Sequence, residues 1–174
     1  MPRFLAPLGL VLLASTALSC GVTPPQATVD GAPSGAASGP PVAALGQTIT
    51  LTGGLGDNEV SVTASKVTTY PKAPDATWIV PERGVYVAVA IEVRVVKGKT
   101  YACHCDFALV AADGSLFEPV WGVGFAQAFR SVTLNTGERT TGLVVFDVPA
   151  SAAAGARVQL RPDWANDVRG SWTV

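Results

Sequence analysis

Val85-Tyr86-Val87-Ala88-Val89-Ala90-Ile91-Glu92-Val93-Arg94-Val95 is the stretch that decides the fold. Its odd-numbered positions are all β-branched, and in an extended chain they share one face. The opposite face passes from Tyr86, Ala88 and Ala90 to Glu92 and Arg94, so it starts half buried and ends in solvent. A period of two held this long predicts a strand with one continuous core face. Lys97-Gly98-Lys99 then reads as a hairpin turn in which Gly98 takes the positive φ.

Working outward, the same texture recurs. Thr48-Ile49-Thr50-Leu51-Thr52 alternates polar and apolar until Gly53-Gly54 breaks it, and Val60 to Ser65 alternates again. Tyr101 to Ala112 reads as the next strand, closed by the turn signal Asp113-Gly114. Another begins at Ser131 to Leu134, turns through Asn135-Thr136-Gly137 and returns as Thr140 to Val148, where Pro149 ends it. Val158 with Leu160, and Gly170 to Val174, complete the set. No stretch shows helical periodicity with a cap, and no regular element is read over Trp121 to Phe125. About seven to nine strands with frequent turns predict an all-β antiparallel sandwich or barrel. Phe107, Leu109 and Ala111 share a core face. Leu143, Val145 and Asp147 point opposite to Val144, Phe146 and Val148.

The rest of the chain is organised around this domain. Of 174 residues, 48% are hydrophobic and 14% charged, with a formal net charge of -1. That balance lacks the clustered cations of a nucleic-acid binder. Met1 to Ser19 has Arg3, then an apolar run from Phe4 to Leu18, then small residues, which is the layout of a secretory signal. The run is shorter than the roughly 20 residues of a membrane-spanning helix. Thr16-Ala17-Leu18-Ser19-Cys20-Gly21 resembles a lipobox, with Leu18 one place from its usual position. Residues 1–19 are thus expected to be a lipoprotein signal and Cys20 a lipid anchor at the outer face of a bacterial cytoplasmic membrane, an ordinary cleaved signal being the alternative. Residues 20–44, with Pro24, Pro25, Pro33, Pro40 and Pro41, read as a disordered Pro/Gly-rich tether. Residues 45–174 form the one folded domain.

A family resemblance rests on two blocks: Asp106-Phe107-Ala108-Leu109-Val110-Ala111-Ala112-Asp113-Gly114, and Leu134-Asn135-Thr136-Gly137-Glu138 followed by Gly142 to Pro149. Together with Leu45-Gly46-Gln47 and the long Val/Ile strand, they resemble a domain of unknown function common in bacterial lipoproteins. Small secreted mycobacterial antigens are among its structural relatives. The resemblance implies an immunoglobulin-like antiparallel β-sandwich and export, and it supplies no catalytic residues. Two places depart from the family's pattern: Val96-Lys97-Gly98-Lys99, and Tyr101-Ala102-Cys103-His104-Cys105.

Cys103-His104-Cys105 is the chemically pointed cluster. On a strand, Cys103 and Cys105 share a face about 7 Å apart and His104 points away, which argues against one metal held by all three. His104 is the only histidine, and no metal or other cofactor is expected. An exported protein meets oxidising conditions, so a small Cys103–Cys105 bridge or two buried thiols is the leading reading, with a thiol-redox role as the alternative. A hydrolase reading on His104, Asp106 and Ser131 lacks a nucleophile-elbow pattern. Four tryptophans remain: Trp78, Trp121, Trp164 and Trp172. Burial is the expectation for each, with Trp121 or Trp172 in the core. Trp78 and Trp164 fall in Pro-containing connections and, if exposed, are recognition residues on loops. The expected role is non-catalytic: a lipid-anchored domain that binds an envelope partner. Thiol-redox or metal-handling chemistry and a structural accessory role are the alternatives.

Overall fold

The computed structural model describes residues 26–31, 39–53, 57–162 and 167–174. Its strands are β1 (Gln26–Val29), β2 (Val42–Ala44), β3 (Thr48–Gly53), β4 (Asn58–Tyr70), β5 (Val85–Lys97), β6 (Lys99–Ala102) and β7 (Phe107–Val110). They are followed by β8 (Leu116–Phe117), β9 (Pro119–Val120), β10 (Val132–Asn135), β11 (Arg139–Val148), β12 (Arg157–Leu160) and β13 (Gly170–Thr173). His104–Asp106 and Ala150–Ala152 are single 3-10 turns, and no α-helix occurs among the described residues.

The long Val/Ile strand β5 lies inside a six-stranded sheet of order β1-β3-β4-β5-β11-β9, and a five-stranded sheet of order β2-β13-β12-β7-β8 faces it. Strands β6 and β10 form a separate two-stranded ribbon. The core between the large sheets takes Val87, Val89, Ile91, Val93 and Val95 from β5, and Val144, Phe146 and Val148 from β11. Phe107, Leu109, Val158, Leu160 and Trp172 come from the opposing sheet. Trp172 is 0% exposed, and its indole N–H donates to the Gln47 carbonyl at 2.9 Å, so its one polar atom is satisfied inside the core. The even face of β5 behaves as its composition dictates: Tyr86 and Ala88 are buried, Ala90 and Glu92 half-buried, and Arg94 exposed.

Several expectations change. Thirteen strands are present among the described residues rather than seven to nine: β8 and β9 are two-residue pairings too short to leave a periodic signal, β1 and β2 precede the expected domain, and the strand read over Tyr101 to Ala112 is split into β6 and β7. Residues 20–44 are not wholly a tether. Strand β1 pairs with β3, and its Ala27 and Val29 pack on the main core; β2 pairs with β13 in a parallel ladder. Both strands are held by partners distant in sequence, which no local pattern reveals.

Lys97-Gly98-Lys99 does not close a hairpin. Gly98 has the expected positive φ, 85°, but β6 departs to pair with β10, and β11 takes the place beside β5. Thr136 secures that departure, its hydroxyl accepting the Gly98 N–H at 2.9 Å and donating to the Gly98 carbonyl at 3.1 Å. By the same exchange β10 and β11 are not ladder partners across Asn135-Thr136-Gly137. The strand read over Tyr101 to Ala112 is broken at Cys103 to Asp106. There the Asp106 carboxylate accepts the Cys103 N–H at 2.8 Å and the Cys103 sulfur accepts the Cys105 N–H at 3.1 Å, capping a turn from both ends.

Candidate functional site

The outer face of the six-stranded sheet is covered over its β4–β5–β11 part by two connections. The first follows Tyr70. Ala73 N–H donates to the Ile79 carbonyl at 2.9 Å and Ile79 N–H to the Ala76 carbonyl at 2.8 Å, folding Pro71 to Ile79 back on itself. Its far end is fixed where the Asp147 carboxylate accepts the Glu82 and Arg83 N–H groups at 2.7 and 3.0 Å. Asp147 is the outward-facing acid near the end of β11.

The second connection, Trp121 to Ser131, runs back across β11. Leu143 N–H donates to the Gln127 carbonyl at 2.7 Å and Phe129 N–H to the Leu143 carbonyl at 2.8 Å. This approach needs Gly142: a Cβ there would stand 2.5 Å from the Phe129 Cα. The two connections are tied together by Asp75, whose N–H donates to the Gly124 carbonyl at 3.0 Å and whose carboxylate accepts the Ala126 N–H at 2.7 Å. At Gly124, φ is 78° and a Cβ would meet Ala73 Cβ at 2.7 Å, so neither the conformation nor the space admits a side chain.

Phe125 fixes both connections to the sheet. It is 5% exposed and packs edge-on against Tyr70 and Tyr86, with ring centroids 5.4 and 5.5 Å apart. Ala73, Ala88 and Val145 complete this second apolar cluster, and the Tyr86 hydroxyl donates to the Val80 carbonyl at 2.9 Å. Burial, then the nearby Asp147 and Glu82 carboxylates, raise the Tyr86 pKa above its ordinary value.

On this platform two large aromatics are left in solvent: Trp78 at 81% exposed and Trp121 at 79%. Trp78 therefore does not follow the expectation of burial. The turn that folds Ala73 to Ile79 back on itself closes between Ala76 and Ile79, so Trp78 sits at its outside. Trp121 is likewise not the core tryptophan; Trp172 is. The connection that joins Trp78's loop is that of Trp121, which the sequence reading did not single out for binding. Its signal was the Gly122/Gly124 spacing beside Gly142 in mid-strand, residues that let one backbone lie on another. Trp164 and Cys20 lie outside the described residues.

Trp121 also reaches the Cys-His-Cys turn. Its ring lies 4.7 Å from that of His104, tilted by 53°. The His104 Nδ1 is 3.4 Å from the Ser131 hydroxyl and 3.9 Å from the Cys103 sulfur. Cys103 and Cys105 are joined by a disulfide with their Cα atoms 5.0 Å apart. Cys103 is 7% exposed, whereas Cys105 is exposed. Both sulfurs are consumed in the bridge, and among the described residues no group of three His, Cys, Asp or Glu side chains is placed to hold a metal. Beside the Trp121 connection runs an open groove of about 560 Å³, with Glu92, Gln127, Arg130 and Thr141 among its walls.

Fold and site together define an immunoglobulin-like β-sandwich in which the two exposed tryptophans among the described residues sit on connections rather than strands. The chain belongs to the family DUF1942, a domain of unknown function, matched over residues 40–160. The secreted protein MPT63 of Mycobacterium tuberculosis is similar in structure, with a TM-score of 0.62 at 20% identity, covering 79% of this chain and all of that one. The YjhA protein of Bacillus subtilis is similar at a TM-score of 0.54 and 16% identity, over 70% of this chain and 83% of its own. YcdA of Bacillus subtilis, described as a candidate lipoprotein, is similar at 0.51 and 14% identity, over 66% of this chain and 36% of its own. No curated protein matches the chain. At these identities the similarity is one of fold.

Proposed function

We propose that the chain is an exported, lipid-anchored envelope protein whose sandwich binds a partner through the surface that carries Trp78 and Trp121. The observation that carries this reading is the contrast between support and display. Phe125, Asp75 and Gly142 fix two connections rigidly on the sheet, while the two largest side chains of those connections stay in water. Tryptophan exposed on a rigid support buries a large area on binding at small entropic cost, which is the property of interface anchors. Cys20 in its lipobox-like context, and the Pro- and Gly-containing residues that follow it, support anchoring at the membrane. The secreted and lipoprotein descriptions of two structural neighbours agree with export.

The test has two arms. Cys20→Ala is expected to move the protein from the membrane fraction to the soluble exported fraction, and retention in the membrane would remove the anchor from the proposal. Photo-cross-linking from position 121 in intact envelopes is expected to give a discrete adduct that Trp78→Ala diminishes. The same cross-linker at position 99, an exposed position of β6, should give none of it.

A further inference from the structure

The Cys103–Cys105 disulfide is placed unlike a structural staple. Its cysteines are two residues apart and lie in the single turn between β6 and β7, so the bond ties together no separate parts of the fold. Cross-links stabilise chiefly by closing long loops, and this one spans a sequence separation of only 2. Nor are its two sulfurs equivalent. Cys105 is exposed to solvent; Cys103 is buried, its sulfur accepting the Cys105 N–H at 3.1 Å with His104 Nδ1 3.9 Å away. A disulfide is opened by a thiolate that attacks the accessible sulfur and expels the other, and exchange is faster when the expelled thiolate is stabilised. Access and stabilisation here fall on opposite sulfurs, as directional exchange requires. Beside them the exposed Trp121 ring rests on His104 and offers an apolar surface to residues flanking an incoming cysteine.

We infer that Cys103–Cys105 is an exchangeable disulfide that oxidises a pair of cysteine thiols in an exposed polypeptide segment. A substrate thiolate attacks the Cys105 sulfur and forms a mixed disulfide, while the Cys103–Cys105 bond breaks. The electron pair goes to the Cys103 sulfur, which is held by the Cys105 N–H and takes a proton from water. The second substrate thiol, as thiolate, then attacks the substrate sulfur of the mixed disulfide. That forms the substrate disulfide and releases Cys105 as a thiolate, which takes up from water the proton the substrate thiol gave to it. The substrate loses two electrons, and Cys103 and Cys105 gain them as two thiols. The polypeptide preference of this inference shares the exposed Trp121 with the binding role proposed above, whereas the exchange itself rests on the turn alone and is read separately by dithiothreitol and by the two cysteine variants.

The experiment incubates the oxidised full chain, natively folded, with a reduced synthetic peptide bearing two cysteines and an aromatic residue, and in parallel with dithiothreitol. Acid quenching, alkylation and peptide mass mapping read Cys103 and Cys105 separately from Cys20. Peptide disulfide is expected to form in step with alkylation of both turn cysteines. Trp121→Ala should slow the peptide reaction while leaving dithiothreitol unaffected, whereas equal slowing of both, or of neither, would remove the polypeptide preference. With oxidised peptide, Cys103→Ser should capture a mixed disulfide at Cys105, and Cys105→Ser should react about tenfold more slowly at the buried Cys103. Equal rates for the two single variants, or a wild-type bridge that dithiothreitol opens only after denaturation, would overturn the inference. Melting curves accompany each variant, and a folded Cys103→Ser that captures no peptide counts against it as well.

Discussion

Replacing Phe125 by Ala tests whether the aromatic display is held by one buried ring. Truncating a well-packed Phe costs about 3–5 kcal/mol, a range that already includes its lost aromatic contacts. Phe125 is 5% exposed and touches two rings edge-on, which places it inside that range. It belongs to the smaller cluster under the connections rather than to the main core, so the connections can partly collapse onto the space left behind. The lower end, about 3 kcal/mol, is therefore expected. For a domain of this size that lowers Tm by roughly 10 °C. Thermal and urea unfolding followed by circular dichroism measure the loss, and tryptophan emission reports whether the surroundings of Trp78 and Trp121 change with it. A variant within about 0.5 kcal/mol of wild type would refute the reasoning, because it would show that Phe125 fixes nothing.

Three further outcomes follow from the same geometry. Gly142→Ala places a methyl 2.5 Å from the Phe129 backbone and is expected to cost about 1–3 kcal/mol by forcing the crossing connection off β11, measured in the same melts. Trp172→Ala empties the centre of the main core and removes the indole donor to the Gln47 carbonyl, so a loss near about 4 kcal/mol is expected, read as a large drop in the melting and urea midpoints. Stability should also fall in alkali. The folded Tyr86 pKa is raised, so the native state holds its proton where the unfolded chain has lost it. The contribution is complete below the unfolded value of about 10 and is lost as pH rises through the folded one. Urea midpoints taken across that interval should drop less in Tyr86→Phe.

The long strand was legible because period two held across its whole length, and the polarity change from Tyr86 to Arg94 even reported where its outer face becomes exposed. Val144, Phe146 and Val148 were legible for the same reason. Pairing was not. Gly98 announces a turn, yet whether the chain doubles back or crosses to another sheet is set by Thr136 and β10, far along the sequence. Cys103 to Asp106 has the alternation of a strand, and the side-chain caps of Cys103 and Asp106, together with the Cys103–Cys105 bond, hold it as a turn. At the site, the sequence marks Trp78 as a loop aromatic but does not mark its neighbouring connection. The contact depends on Asp75 meeting Gly124 and Ala126, a pairing across some fifty residues that composition cannot announce.

The most direct measurement compares envelope photo-cross-linking from position 121 in the otherwise wild-type protein and in Trp78→Ala, with melting curves taken on the same preparations. An exposed side chain outside any packed cluster should leave stability within about 0.5 kcal/mol of wild type when it is removed. A discrete adduct that weakens in the variant while Tm holds is the expected result. An undiminished adduct, or none at all from the folded protein that carries the cross-linker at position 121 alone, would contradict the assignment of binding to this surface.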